Sequence, residues 1–292
     1  MKYSLVLISI LMISIFPQFS HAQSCVSPPP DMISWWPGDG NTDDIVDSNP
    51  GVLENGASFA AGKVGSAFSF DGVDDQVRVP HSANQNAGAE LTVDAWINPD
   101  VISHGQSIIN KRPVTNIGDG GFTFETSQTI SPNGLQFGIG TNTGTFLLIS
   151  GSDVLTAGVF QHVAATYDGA MMRIYVDGVE VASSPASGTI KPTTTDLVIG
   201  RNIVIPSFAF DGIIDEVEFF GHALSLDEIK SIVDAGSSGK CKQESPPVGG
   251  TIIPIDMTSL FIAGIQSGTI WMVPTLVGLA GAGLYLIKFR KN

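Results

Sequence analysis

The side chains best placed to do chemistry lie in one short stretch near the end of the folded part of the chain. Residues 210–220 read FDGIIDEVEFF. At the two-residue period of a strand, Ile213, Asp215, Val217 and Phe219 share one face, and Ile214, Glu216, Glu218 and Phe220 share the other. A carboxylate among Ile, Val and Phe is costly to desolvate unless a cation, hydrogen-bond donors or a metal ion meets it, so Asp215 needs a partner from elsewhere in the chain. Glu216 and Glu218 lie two apart and face the same way, which crudely meets a glycosidase's need for two carboxylates flanking a sugar. The glycanase order Glu-x-Asp-x-Glu would put acids at 214, 216 and 218, and position 214 is Ile; a polar strand face is the simpler reading. His81, His104, His162 and His222 lie far apart without ligand spacing, and no Gly-x-Ser-x-Gly motif occurs. No catalytic residue is expected.

Two cysteines bracket this region, Cys25 and Cys241. In an oxidising compartment they form a disulfide that clamps the two ends of one domain; the alternative is two free thiols. Lys2, an apolar run over residues 3–16 and the small residues Ser20 and Ala22 at minus three and minus one describe a signal peptide over 1–22. At the other end, residues 257–287 carry no charge, and Lys288, Arg290 and Lys291 follow at once. That run exceeds the roughly 20 residues of a bilayer-spanning helix, and the basic end belongs in the cytoplasm. The expected organisation is a leader (1–22), a folded domain (23–242), a Pro- and Gly-rich linker (243–256) and a membrane anchor with a short basic tail (257–292). The ectodomain of such a single-pass protein of the cell membrane would lie outside. Residues 23–256 hold all 28 acids and ten bases, a net charge of −18, which argues against a nucleic-acid partner.

Between the cysteines, short β-rich runs alternate with Gly, Pro, Asn and Asp every eight to twelve residues, the pattern of an all-β sandwich or barrel. Alternation is clear over 67–70, 76–79, 91–97, 162–167 and 173–176, and Asp177-Gly178, Asp168-Gly169 and Asn133-Gly134 read as hairpin turns. One helix is expected near the end, opened by the capping box Ser225/Glu228 and stopped by Gly236.

Ordered blocks along residues 25–241 resemble a known family. They run from Trp35-Trp36-Pro37-Gly38-Asp39-Gly40 through Phe68-Ser69-Phe70-Asp71-Gly72-Val73-Asp74-Asp75 and Thr92-Val93-Asp94-Ala95-Trp96. Then come His162-Val163-Ala164, Tyr175-Val176-Asp177-Gly178 and Phe210-Asp211-Gly212 through Asp215-Glu216-Val217. Together they are similar to the laminin-G-like, concanavalin-A-type jelly roll in its bacterial and archaeal form. One departure is Phe160, where a Trp is usual. Residues 249–256 and 271–274 are similar to the C-terminal anchors of some archaeal surface proteins.

The resemblance implies a two-sheet antiparallel sandwich with one short C-terminal helix. It further implies a structural Ca²⁺ between an early Asp-rich loop (39–47) and the late Asp-Glu-Val strand. Here Asp44 and Asp215 would be the ligands, with Asp39 or Asp47 possible contributors and backbone carbonyls completing the shell. The competing reading has solvated turn aspartates and Asp215 paired with Arg78 or Arg201. A second, ligand-binding calcium of the pentraxin kind is not expected, because Asp119 is the only acid in the matching loops. Trp36, Trp96 and Tyr175 are candidates for a sugar platform, although most aromatics in such a sandwich are core. By analogy of fold the expected function is recognition or adhesion toward glycan or extracellular protein at the cell surface. The alternatives are an envelope component without a specific ligand and a glycoside hydrolase.

Overall fold

The computed structural model describes residues 25–242, apart from 103–104, 114 and 128–130. The expected leader, linker and membrane anchor lie outside these residues; among those described, no helix is long and apolar enough to cross a membrane.

Fifteen strands and one α-helix occur among the described residues. The strands are β1 (Met32–Trp36), β2 (Val52–Glu54), β3 (Ser58–Ala61), β4 (Ser66–Asp71), β5 (Gln76–Val79), β6 (Leu91–Pro99), β7 (Ser107–Lys111) and β8 (Phe122–Thr126). They continue with β9 (Leu135–Gly140), β10 (Thr145–Ile149), β11 (Gln161–Tyr167), β12 (Met171–Val176), β13 (Val179–Pro185), β14 (Leu197–Ile199) and β15 (Asp211–Phe220). The helix α1 (Leu226–Ala235) follows. One sheet runs β13-β12-β11-β6-β15-β4-β3, with β1 also pairing with β15; the other runs β10-β9-β8-β7-β14-β5-β2. All these pairings are antiparallel. This is the expected two-sheet sandwich.

Alternation places the core. In β6, Leu91, Val93, Ala95 and Ile97 enter the cluster between the sheets, as do Val163, Ala165 and Tyr167 of β11. Phe122 of β8 stacks on Phe219 of β15 across the sandwich, ring centroids 5.7 Å apart. The residues between these point to the outer face of the first sheet. There Ala164, Tyr175 and Phe220 pack with Leu224, Ile229 and Ile232 of the α1 region in a second, smaller apolar cluster. The helix begins as expected: the Ser225 hydroxyl accepts the Glu228 N–H and the Glu228 carboxylate accepts the Ser225 N–H. Gly236 ends it.

Candidate functional site

Strand β15 lies at the centre of the first sheet, between β6 on one side and β4 and β1 on the other. Its register against β6 jumps: Asp215 faces Trp96 and Glu218 faces Asp94, so two residues oppose the single Ala95. Glu216 sits in this bulge at φ 53°, a conformation costly for a side-chain-bearing residue. The extra residue inverts the alternation. Ile214, Val217 and Phe219 all reach the inter-sheet core, whereas Asp215 does not share the face of Val217 and Phe219, contrary to the simple two-residue reading. Asp215 and Glu218 instead lie on the outer face, beneath the end of the domain.

That face holds a buried ionic cluster. Glu216 and Glu218 are 1% and 0% exposed. Glu216 Oε2 accepts the Trp35 indole N–H at 2.8 Å, and its Oε1 lies 2.6 Å from Lys242 Nζ. Lys242 Nζ is also 2.6 Å from Asp39 Oδ2. Lys240 Nζ pairs with Glu218 Oε1 and stands 3.9 Å from Glu216 Oε2. Asp94, opposite Glu218, meets His162 Nε2 at 3.0 Å. Three buried carboxylates thus face one buried ammonium. Burial, then the neighbouring Asp94, pushes Glu218 well above the usual carboxylate range. Burial pulls Lys240 down, but Glu218, Asp94 and Glu216 outweigh it and raise its pKa. The Lys240 ammonium, paired with Glu218, is the buried positive charge that this cluster of carboxylates surrounds.

Asp215 finds a different partner from either expected. Its Oδ2 accepts the Val64 N–H at 2.9 Å, while Arg78 pairs with Glu54 and Asp196 and Arg201 donates to the Asp74 carbonyl. Burial raises Asp215 to about 7, against the lowering effect of the Val64 N–H. Asp44, the other expected calcium ligand, is occupied elsewhere. Its Oδ1 accepts the N–H groups of Trp35, Val46 and Asp47 at 2.9, 3.1 and 3.2 Å, and its Oδ2 accepts Asn49 Nδ2 at 3.1 Å. Asp47 likewise caps Ser48 N–H and receives Asn84 Nδ2. Asp44 and Asp215 thus each accept hydrogen bonds from protein N–H groups, and a Ca²⁺ shared between them stays an expectation drawn from the resemblance. Between the early loop and the closing strand stands the Lys242 ammonium, bridging Asp39 and Glu216.

Lys240, Lys242 and Asp94 escaped the sequence reading. A signal was available: Asp94 interrupts an apolar strand on the same face as Trp96, and a Lys-Cys-Lys run ends an otherwise acid-rich domain. The half-cystines themselves are joined, with Cα atoms 4.9 Å apart. Val26 and Lys240 bridge beside them, with Val26 N–H donating to the Gly239 carbonyl and Cys241 N–H to the Val26 carbonyl.

The aromatic candidates for a sugar platform are all buried. Trp36 donates its indole N–H to the Asn49 carbonyl within the core, Trp96 lies under Lys63 Nζ and against His162, and Tyr175 packs in the cluster beneath α1. An open concavity occurs elsewhere, at one end of the sandwich. A cleft of about 510 Å³ is lined by Asp100, Val101 and Ile102 after β6, Asn133 before β9, and Asp153, Leu155, Thr156 and Ala157 before β11. Asn133 Nδ2 donates to Asp153 Oδ1, and the Asn133 carbonyl takes the N–H groups of Val154 and Leu155, which fixes one wall. Among the described residues, the Asp100 carboxylate and the Thr156 hydroxyl hold no hydrogen bond.

Solved structures with the same architecture include toxin binding domains. The binding domain of Paraclostridial Mosquitocidal Protein 1 superposes with a TM-score of 0.56 at 12% identity, over 70% of this chain and 52% of that one. The Botulinum Neurotoxin serotype G binding domain gives 0.54 at 14%, over 69% and 50%. This chain thus spans about half the length of those toxin domains. Domain 4 of AbnA, a GH43 extracellular arabinanase from Geobacillus stearothermophilus solved with arabinotriose, gives 0.52 at 18%, over 70% of this chain and 98% of that one. No curated protein sequence matches the chain. Residues 71–230 match the family described as the Concanavalin A-like lectin/glucanases superfamily. With that match spanning more than half of the sequence and the two-sheet sandwich in place, the chain belongs to the concanavalin A-like lectin/glucanases superfamily.

Proposed function

We propose that this protein is a non-catalytic recognition module that binds glycan in the cleft formed by Asp100–Ile102, Asn133 and Asp153–Ala157. One observation carries this reading: the strand carboxylates that could have served as a hydrolytic pair, Glu216 and Glu218, are buried and neutralised by lysines, whereas the open concavity presents unengaged polar groups. A glycosidase needs its two carboxyls on either side of an accessible sugar. The cleft falls within the usual size range of small-molecule sites, and its mixture of Val101, Ile102 and Leu155 with Asp100, Asp153 and Thr156 suits a sugar's apolar faces and hydroxyls. The likeness to the arabinanase domain supports the choice of ligand class. The leader-like first 22 residues and the uncharged run at 257–287 support display of the module at a membrane surface.

The test is binding of the purified full chain to a glycan array that includes arabino-oligosaccharides. Reproducible binding that falls at least tenfold in the Asp100→Ala/Thr156→Ala double variant is the expected result. Absence of any binding at high protein concentration, or binding indifferent to both substitutions, overturns it. Release of reducing sugar from a bound glycan would instead make the protein an enzyme.

A further inference from the structure

The turn between β4 and β5 gathers three carboxylates that the glycan reading leaves unused. Asp71, Asp74 and Asp75 each place an oxygen within 4.8 Å of the others. The turn is held tightly: Asp71 Oδ1 accepts the Val73 N–H at 2.9 Å, Gly72 N–H donates to the Phe210 carbonyl, and Asp75 Oδ2 accepts the Asp71 N–H at 3.0 Å. Asp75 is therefore aimed back into the turn. It is 4% exposed, and its Oδ1 has no hydrogen-bond partner. A carboxylate oxygen sealed from water without a donor is costly, and such an orphan marks a place where an ion or water is required.

Among the described residues, no cation is paired with the three carboxylates. No salt bridge among the described residues involves any of them, and the Arg201 side chain donates its Nη1–H to the Asp74 carbonyl at 3.1 Å. The Asn55 side chain donates to that same carbonyl at 2.7 Å. The surroundings add negative charge: Asp211 pairs with Asp71 across the sheet, and burial followed by the charges of Asp100 and Asp71 raises the Asp211 pKa. Burial also raises Asp75, against the Asp71 N–H and helped by Asp71 and Asp74. Asp71 is exposed and Asp74 half-buried, so two of the three carboxylates are open to an ion arriving from solvent.

We propose that Asp71, Asp74 and Asp75 bind a Ca²⁺ ion that ties the β4–β5 turn together. The all-carboxylate donor set, with room on the solvent side for water ligands, suits a hard cation that accepts irregular six- to eightfold oxygen coordination; a thiophilic or imidazole-seeking metal would find no preferred donor. This site is separate from the early loop and from Asp215.

The experiment is calorimetric titration of CaCl₂ into the chelator-stripped full chain, with thermal melts alongside. Expected are one saturable binding event and a rise in Tm of roughly 5 °C at a hundredfold excess over Kd. Asp71→Asn and Asp74→Asn, both at accessible positions and both retaining an acceptor oxygen, should each lower the affinity at least tenfold. Neither should move the metal-free Tm by more than a degree or so, because each also removes a repulsive charge. Asp44→Asn should leave the titration unchanged. No saturable heat and no Tm rise at millimolar Ca²⁺ overturns the proposal. So does binding that survives the Asp71→Asn/Asp74→Asn double variant, or that is lost in Asp44→Asn.

Discussion

Asp215 was legible as a problem before any coordinates: an acid in an apolar strand has to be accounted for. Its direction was not legible, because the residue that turns it outward is Glu216, and nothing about a glutamate announces a positive φ. The result is an acid 0% exposed whose chief support is a backbone N–H, with a folded pKa of about 7 against about 4 for the unfolded chain. The native state therefore binds the extra proton, and stability is fully present below the unfolded pKa and is lost as pH rises from about 4 through 7. Asp215→Asn keeps an acceptor for Val64 and removes the charge. It should flatten that pH dependence and raise stability at pH 8 by roughly 2 to 4 kcal/mol, read from urea unfolding at pH 5 and pH 8. Unchanged pH dependence in the variant would show that Asp215 is ionised and solvated in the native state.

At the scale of elements, the local signals were strong where one residue type dictates one conformation. The alternating runs at 76–79 and 91–97 are β5 and most of β6, and the Asp177-Gly178 hairpin takes positive φ at both residues, 48° and 74°. The capping box at Ser225 is as the sequence shows it, and because α1 covers the apolar cluster around Phe220, the cap secures more than its own turn. Ser225→Ala should cost about 1 kcal/mol in urea unfolding, with Ser225→Asp recovering most of it. A loss below about 0.3 kcal/mol would mean that packing alone fixes the helix start. The bulge in β15 and the cleft were both out of reach of periodicity: the first adds one residue to a regular strand, and the second is assembled from three loops distant in sequence.

For the whole molecule, the sandwich and its disulfide were readable from patterning and from cysteine count, while the ionic cluster under the termini was not, since its members lie on five separate segments. The disulfide closes a loop of 216 residues. In the chain-entropy view such a closure stabilises by about 5 kcal/mol, and here it also holds Lys240 and Lys242 over Glu216 and Glu218. Cys25→Ser/Cys241→Ser should therefore lower Tm by more than about 10 °C, and reduction of the wild type should reproduce most of that fall. A Tm unchanged on reduction would show that the strand pairing next to the bridge suffices to hold the ends together.

The clamp between Cys25 and Cys241 also decides how tension would travel through the protein. A pull on the chain beyond Lys242 that is resisted near the N-terminus passes from one half-cystine to the other across a covalent bond, and the fifteen strands between them are short-circuited. Under stretching between these two ends, the sandwich is a closed ring hung from a single rivet, and the tension bypasses its strands.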